Sequence, residues 1–208
     1  MEKALVAFSL VTGKKQIPRG FKLFSAGQHL ENMYYLESGY AKTFSSHENG
    51  RATLYSVVGP GRICGIALEN GHSPSSFSAN MITEGAVREI PQPFLAKFCT
   101  EDPGAWRWLA EREAIRRSSM EKRIEILSLP DVTKRLTALI PYLIEECEFL
   151  READGSYVVP LLQSELAAFV GATRETTSAM LNALAKRNLL NPLRGRVVVP
   201  HLQALIEA

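Results

Sequence analysis

The segment spanning residues 162–190 constrains the fold of this chain more than any other part of its sequence. Leu166, Phe169 and Val170 recur with helical spacing and give a first short helix one apolar face. Gly171 follows as the helix stop, because glycine adopts a left-handed backbone without strain. The pattern predicts a short helix that ends in a tight turn.

A second helix is predicted directly after this turn. Thr173 is placed to cap it, and Glu175 lies favourably in its first turn. Its buried stripe consists of Met180, Leu181 and Leu184, and its opposite, polar stripe of Arg174, Glu175, Thr177 and Ser178. Two such helices, with hydrogen-bonding side chains at the start of the second, are typical of a helix-turn-helix that enters the DNA major groove.

A small β-hairpin is predicted after the second helix. Leu189 and Leu190 lead into a turn at 192–195, and residues 196–200 are rich in valine. The hairpin would act as a wing, with Arg194 and Arg196 placed to contact phosphate. Between residues 174 and 201 there are five basic residues and one acidic residue. The alternative is an ordinary helical hairpin with a solvated polar face.

These residues carry a family resemblance. The runs that resemble the helix-turn-helix of Crp/Fnr-type transcription regulators are Gln163-Ser164-Glu165-Leu166-Ala167, Val170-Gly171, Arg174-Glu175-Thr176 and Leu181. The resemblance implies an α+β fold with a jelly-roll-like β-roll sensor domain over 1–102, a long dimerisation helix over 103–129 and a winged helix-turn-helix over 130–208. It implies three partners: double-stranded DNA with a palindromic operator, a second copy of the chain, and RNA polymerase.

The expected DNA contacts combine the polar stripe, the wing and two helix starts. They are Thr133, Gln163, Ser164, Thr173, Arg174, Glu175, Thr177, Ser178, Lys186, Arg194 and Arg196. Thr133 and Lys134 follow Asp131 at a predicted helix start, where backbone amides and a hydroxyl can hold a phosphate. Asp131 is the expected cap. By the resemblance, residues 129–131 form the hinge about which the DNA-binding domain swings.

Composition bounds the remaining possibilities. The chain has 208 residues, of which 46% are hydrophobic and 22% charged, as expected of a soluble globular protein. Its net charge of +2 is too small to indicate nucleic acid by itself, so the argument rests on where the charges lie. The sequence offers neither a membrane span nor a convincing signal peptide, and a cytoplasmic location is expected. Its three separated cysteines argue against a disulfide framework, and no catalytic or metal-binding constellation predicts an enzyme.

The first hundred residues are predicted to form a small β-sandwich or barrel. Short apolar runs at 20–24, 33–36, 39–44 and 52–58 alternate with glycine turns. Asn49 and Gly50 between two of these runs indicate a tight hairpin.

One long helix is predicted from Trp106 to Leu127, with Pro103 at its start and Pro130 beyond its end. Its apolar stripe consists of Trp106, Leu109, Ala110, Met120, Ile124 and Leu127, and Glu113 and Arg117 interrupt it. Such a stripe suggests pairing with a second copy. The alternative is a helix that lies on its own domain. An acidic run over 145–154 is expected to be a solvated loop.

The sensor segment departs from the cyclic-nucleotide binders of the family. Those proteins bind phosphate with an arginine and a serine, and ribose with a glutamate. This chain has Ser76, Phe77 and Ile66 at the corresponding positions, and without a guanidinium the strongest phosphate contacts are lost. Met120 and Glu121 replace the small hydroxyl residues that contact the base. Cyclic AMP is therefore disfavoured as the effector.

A small organic effector is the expected alternative to cyclic AMP. Its predicted contacts are Gly65, Ile66, Ser76, Phe77, Met81, Met120 and Glu121. Haem stays open as a cofactor, with His29, His47, His72, Cys64 and Cys99 as candidate axial ligands, whereas an iron–sulfur cluster lacks the clustered N-terminal cysteines it needs. A second function class also stays open, a signalling module that uses a cyclic-nucleotide-like domain for protein contacts and binds no DNA.

Overall fold

Two four-stranded sheets form the first half of the chain in the computed structural model, which describes residues 12–48, 50–65, 74–149 and 151–208. The strands are β1 (Lys15–Ile17), β2 (Lys22–Phe24), β3 (Asn32–Ser38), β4 (Ala41–Ser46), β5 (Ala52–Val58), β6 (Ile63–Cys64), β7 (Ser78–Met81) and β8 (Gly85–Pro91). One sheet has the order β1-β8-β3-β6 and the other β2-β7-β4-β5. The predicted runs at 20–24, 33–36, 39–44 and 52–58 each overlap one of these strands. Asn49 lies outside the described residues.

Two glycines allow the chain to fold back closely at one end of the roll. Gly39 has a left-handed φ of 77°, and a Cβ atom there would collide with the carbonyl oxygen of Glu84. A Cβ atom at Gly85 would collide with the carbonyl oxygen of Ser38 in the same way. Only glycine fits at either position, because backbone atoms cannot move aside as a flexible side chain does.

The described residues form six helices after β8. They are α1 (Gln92–Glu101), α2 (Pro103–Leu127), α3 (Val132–Cys147), α4 (Gln163–Val170), α5 (Arg174–Lys186) and α6 (Leu202–Ile206). A three-stranded sheet with the order β10-β11-β9 is built from β9 (Tyr157–Val159), β10 (Asn191–Leu193) and β11 (Arg196–Val199). Among the described residues, no helix has the length and apolarity needed to cross a membrane.

The chain divides into two compact units. The first contains the chain up to Ser45 together with Ser56–Ser118, and the second contains Ser46–Tyr55 together with Ser119–Ala208. In the first unit, Met33, Tyr35 and Ile90 pack with Leu95, Cys99, Ala105, Trp108 and Leu109. This cluster attaches α1 and the first turns of α2 to the sheet that contains β3 and β8.

Several sequence predictions need correction. Leu109 does not share an exposed stripe with Trp106, because it is 3% exposed in the core of the first unit while Trp106 is 48% exposed. The acidic run is a loop only in part, since Glu145 and Glu146 belong to α3. The hairpin turn is shorter than predicted, because Pro192 pairs with Val197 inside the sheet. Helix α1 was not predicted.

Candidate nucleic-acid interface

The turn between α4 and α5 has the geometry that its sequence predicts. Gly171 ends α4 with a left-handed φ of 64°, and its N–H donates to the carbonyl of Ala167. Thr173 then caps α5, because its Oγ1 accepts a hydrogen bond of 3.1 Å from the N–H of Thr176. Only two residues, Ala172 and Thr173, separate the C-cap of α4 from the start of α5. The turn is therefore short and fixed at both ends.

The first turn of α5 presents three polar side chains to solvent. Arg174, Glu175 and Thr176 are all exposed. Hydrogen bonds from the backbone N–H of Glu175 itself, and then from the hydroxyl of Thr173, lower the pKa of the Glu175 carboxyl. Glu175 is therefore ionised at neutral pH and is available as a hydrogen-bond acceptor. Arginine, glutamate and threonine together offer both donors and acceptors to the edges of bases.

Thr177 does not belong to this exposed face, and its prediction as a DNA contact is wrong. It is 0% exposed and lies on the buried side of α5 with Leu181 and Leu184. The spacing of four and seven residues that separates it from these leucines could have revealed this position. The residue that sequence reasoning missed is Thr176, which is exposed next to Glu175. Ser178 is half-buried.

Two further helix starts carry predicted DNA contacts. At the start of α4, Ser164 is exposed and Gln163 is half-buried, while the Glu165 carboxylate accepts a hydrogen bond of 2.7 Å from the N–H of Leu162. At the start of α3, Asp131 is the N-cap, as predicted, because its Oδ1 accepts from the N–H of Lys134 at 2.8 Å. These contacts order the two helix starts without using the side chain of Ser164.

Thr133 has a partner that the sequence did not predict. Its hydroxyl donates to Sδ of Met180 at 3.1 Å, which directs the Oγ1 atom towards α5. The side chain is half-buried. A phosphate contact from this hydroxyl would require it to leave the sulfur atom, so the backbone of this turn is better placed for that role.

The wing consists of β10 and β11 joined by a two-residue turn. Leu193 pairs with Arg196, so that Arg194 and Gly195 form the turn itself. Val197 and Val199 face the core, whereas Arg194 and Arg196 are exposed. Lys186 is exposed at the end of α5. The structure therefore exposes the three cations that were predicted to bind phosphate.

The predicted effector residues of the roll meet at an aromatic cluster. Phe24 stacks on Tyr34 at 5.9 Å between ring centroids and meets Phe77 edge to face at 5.5 Å. Gly65 lies against the same ring, since a Cβ atom there would be 3.1 Å from Cε1 of Phe24. Met81, which is 1% exposed, belongs to the adjoining core. The cluster is apolar, and burial is the main reason why the pKa of Tyr34 is raised.

One buried amide lies beside this cluster. Nε2 of Gln92 donates to the carbonyl oxygen of Gly65 at 2.7 Å, and the residue is 7% exposed. Gln92 is the first residue of α1, and it joins that helix to the end of β6. Sequence reasoning missed Gln92, because a single glutamine next to two prolines gives no periodic signal.

The other predicted effector residues are placed differently. Ser76 is exposed, so its hydroxyl is not enclosed by the roll. Met120 is half-buried and Glu121 exposed on the part of α2 that belongs to the second unit. Ile66 lies outside the described residues.

The candidate haem ligands gain little support. Burial raises the pKa of the Cys64 thiol to about 12 and also raises the pKa of Cys99, which disfavours the thiolate that iron ligation needs. Nε2 of His47 lies 2.8 Å from the Thr53 hydroxyl. His72 lies outside the described residues. Within the part of the chain that the structure describes, no three acidic, histidine or cysteine side chains converge as a metal site.

Comparison with known proteins agrees with this geometry. Residues 14–102 match the cyclic nucleotide-binding domain, and residues 134–208 match the Crp-like helix-turn-helix domain. The chain is 26% identical over 200 residues to the anaerobic regulatory protein of Pasteurella multocida, covering 96% of this chain and 72% of that protein. It is 26% identical over 198 residues to the CRP-like cAMP-activated global transcriptional regulator of Mycobacterium tuberculosis, covering 94% and 87%.

A solved structure supports the fold over nearly the full length. FixK2 from Bradyrhizobium japonicum superposes with a TM-score of 0.80 at 19% identity, covering 95% of this chain and 96% of that chain. The two domains that match, their order along the chain and the relatives identify the class as transcription regulators with a helix-turn-helix DNA-binding domain. The chain belongs to the Crp/Fnr family.

Proposed function

We propose that this protein is a dimeric, sequence-specific DNA-binding transcription regulator that is gated by a small effector other than cyclic AMP. The observation that carries the proposal is the capped start of α5, where Arg174, Glu175 and Thr176 are exposed side by side. In the major groove, arginine can donate to guanine as a bidentate pair, glutamate can accept from cytosine and threonine can contact either kind of edge. Ser178 and Ala179 follow one turn later on the same helix.

Sequence-independent affinity comes from the cations around this helix. Lys186, Arg194 and Arg196 are exposed, and each can neutralise one phosphate. Gln163, Ser164 and Thr173, together with the backbone at Thr133, supply neutral contacts that fix the protein on the DNA backbone. Phosphate contacts orient the protein on the DNA, and the first turn of α5 reads the bases.

The exposed stripe of α2 supports a dimer. Positions that alternate by four and three residues carry Trp106, Ala110, Glu113, Arg117, Met120, Ile124 and Leu127. Ile124 is 64% exposed and Leu127 36% exposed, which is costly for large apolar side chains unless a partner covers them. This spacing is that of a two-stranded coiled coil. Two half-sites also give the specificity that a single recognition helix lacks.

The chemistry of the roll favours an apolar effector. The M. tuberculosis relative is named for activation by cyclic AMP, but this chain has Ser76 where the cyclic-nucleotide binders place the phosphate-binding arginine. Phe24 is buried, and the partly buried rings of Tyr34 and Phe77 that pack on it are the surfaces that would contact an aromatic or aliphatic molecule next to Gly65. Gln92 provides a buried amide at that cluster.

We also propose that the protein has no catalytic activity, that it is located in the cytoplasm and that RNA polymerase is a further partner.

Selection of bound sequences from random DNA tests this function. The full chain is mixed with the DNA pool with and without the small-molecule fraction of a cell extract. The proposal predicts enrichment of one inverted-repeat sequence and a change in its recovery when the extract is present. If no sequence is enriched under either condition, the result would instead favour a signalling module that contacts proteins.

A further inference from the structure

The C-terminal end of α4 is held by side chains from two other helices. A helix leaves its last four carbonyl groups without donors from its own backbone. In α4 the carbonyl of Ala167 accepts from the N–H of Ala172 at 3.0 Å, within the turn itself. The carbonyl of Phe169 accepts from Nη2 of Arg123 at 3.1 Å, and that of Val170 accepts from Nη1 of Arg135 at 2.7 Å.

Arg123 reaches this helix end from α2. Its Nη2 also lies 3.5 Å from the carbonyl oxygen of Ala168, and its guanidinium carbon lies 4.9 Å from the centre of the Phe169 ring. The negative end of the α4 dipole favours a cation at this position. One arginine therefore contacts two successive carbonyl groups and the aromatic ring beside them.

Arg135 reaches the same helix end from α3. Besides Val170, it contacts the turn between α2 and α3, because its Nε donates to the carbonyl of Leu129 at 3.1 Å. Gly171 is also close to both neighbouring helices, since a Cβ atom there would lie 3.6 Å from Cδ2 of Leu127 and 3.8 Å from Nη1 of Arg135. All these residues belong to the second compact unit.

Packing alone does not account for an arginine at position 123. The side chain is 6% exposed, and its Nη1 has no hydrogen-bond partner among the described residues. Desolvation lowers its pKa to about 10, which still leaves it charged at neutral pH. A buried donor without a partner is destabilising, and burying a guanidinium costs desolvation energy that an apolar side chain would not. What the arginine provides is a fixed geometry between α2 and α4.

We propose that Arg123 and Arg135 are positioning residues for DNA recognition, which hold the end of α4 on α2 and α3 and thereby set the direction of α5. The proposal rests on the proposed function, because it concerns how the recognition helix is aimed. We call the contacts of these two arginines with the carbonyl groups of Phe169 and Val170 the clamp. Only Gly171, Ala172 and Thr173 separate these carbonyl groups from α5. Arg135 also binds the carbonyl of Leu129, within the hinge expected at residues 129–131. A movement of the last turns of α2 would therefore move α5 as well.

The test compares Arg123→Met with Lys122→Met, which removes a neighbouring exposed cation from the same helix. Binding to the selected operator and to random-sequence DNA is measured by fluorescence anisotropy over a range of salt concentrations. Arg123→Met is expected to weaken operator binding about tenfold, the value of one charge-assisted hydrogen bond. Its salt dependence should be unchanged, because Arg123 contacts carbonyl groups and no phosphate. Lys122→Met should bind the operator within twofold of the parent.

Two further measurements distinguish a change in the orientation of α5 from a general loss of protein stability. Hydrogen exchange of the backbone amides at 171–176 should accelerate in Arg123→Met more than exchange of the amides within α3, because the lost contacts are local to the end of α4, whereas a global loss of stability would accelerate both. Arg123→Lys keeps the charge but loses the planar fork, so its operator affinity should lie between parent and Arg123→Met. If Arg123→Met does not fold, Arg123→Lys and Arg135→Met decide the question by the same binding assay.

The outcomes distinguish this proposal from the function on which it rests. Operator affinity and amide exchange that match the parent in the folded variants would overturn the positioning role while leaving DNA binding intact. A parent protein that does not discriminate any sequence would overturn the proposed function. In that case, unchanged amide exchange at 171–176 in Arg123→Met would also overturn the proposal that Arg123 holds the end of α4. Accelerated exchange would support that structural role within the second unit, without a role in DNA binding.

Discussion

Arg174 and Thr177 lie three residues apart on α5, yet one faces solvent and the other faces the core. Residues three apart lie on nearly the same face of a helix, so the difference comes from position along α5: Thr177 lies one turn in with Leu181 and Leu184, whereas Arg174 is the first residue of the helix. Arg174 is exposed beside Glu175 and Thr176 at the capped helix start. Neighbouring polar residues of similar appearance in the sequence therefore have different roles.

Replacing Arg174 with alanine tests the residue assigned to base recognition. Arg174→Ala should cost about 1–3 kcal/mol in operator binding and relax the base preference at one position in each half-site. Competition binding against operators with every base at that position measures both effects. Arg107→Ala, which removes an exposed cation from α2, is the control for net charge. Equal affinity and selectivity in Arg174→Ala and the parent would contradict the assignment.

Replacing Thr177 with valine tests its buried position. The Thr177 hydroxyl is buried with no hydrogen-bond partner among the described residues, and valine has nearly the same shape without that group. Thr177→Val should raise the free energy of unfolding by about 1 kcal/mol, because an unpaired buried polar group is removed. Urea denaturation measures the change, and operator affinity should stay constant. A loss of operator affinity with unchanged stability would restore Thr177 as a DNA contact.

At the scale of whole elements, the wing and the end of α5 expose three cations, which we expect to contact phosphate and not the bases. Neutralising Lys186, Arg194 or Arg196 singly should reduce the slope of log affinity against log salt by about 0.9, the effect of one phosphate contact. Titrations at several salt concentrations measure the slope for operator and random DNA alike. Slopes that match the parent in all three variants would remove the wing from the interface.

The stripe of α2 is the second element whose role can be tested. In a symmetric parallel pair, Glu113 of one copy would face Glu113 of the other, so the seam contains a like-charge contact. Glu113→Leu should lower the dimer dissociation constant and raise DNA binding in the absence of effector. Sedimentation equilibrium and operator titration measure the two effects, with Glu111→Leu on the exposed side of α2 as the control. A dimer of unchanged affinity would exclude Glu113 from the seam.

Local chemistry explains which elements the sequence could predict. The stop at Gly171, the cap at Thr173 and the cap at Asp131 depend on residues within one turn of the chain, and all three are as predicted. Trp106 is exposed and Leu109 is buried because of which surface of α2 packs against the roll. Periodicity alone could not assign those two residues to different faces.

Contacts between distant parts of the chain explain what the sequence could not predict. Arg123 lies 46 residues from Phe169, and an arginine in a charged helix has no pattern that marks it as buried. Helix α1 was missed because its apolar pairs, such as the stacked Phe94 and Phe98, occur in a ten-residue segment that begins beside two prolines. The aromatic cluster around Phe24 also joins three separate segments of the roll. Each feature requires the fold before it can be recognised.

For the whole molecule, the account requires that two copies act together on one DNA site. The second compact unit contains the helix-turn-helix and the last turns of α2, so the proposed DNA-binding surface shares one body with the part of the proposed dimer stripe formed by Met120, Ile124 and Leu127. The clamp from Arg123 and Arg135 connects those surfaces within a single chain. A change in how the α2 helices pair would thereby alter the spacing of the two recognition helices.

The most direct test of this account is the stoichiometry of the complex with the selected operator. Native mass spectrometry of that complex, together with binding to the operator and to one isolated half-site, measures how many copies act and whether both halves are read. The account predicts two copies on an inverted repeat whose half-site centres are about 10–10.5 base pairs apart, and much weaker binding to one half-site. One copy per operator, or equal affinity for the half-site and the full repeat, would contradict it.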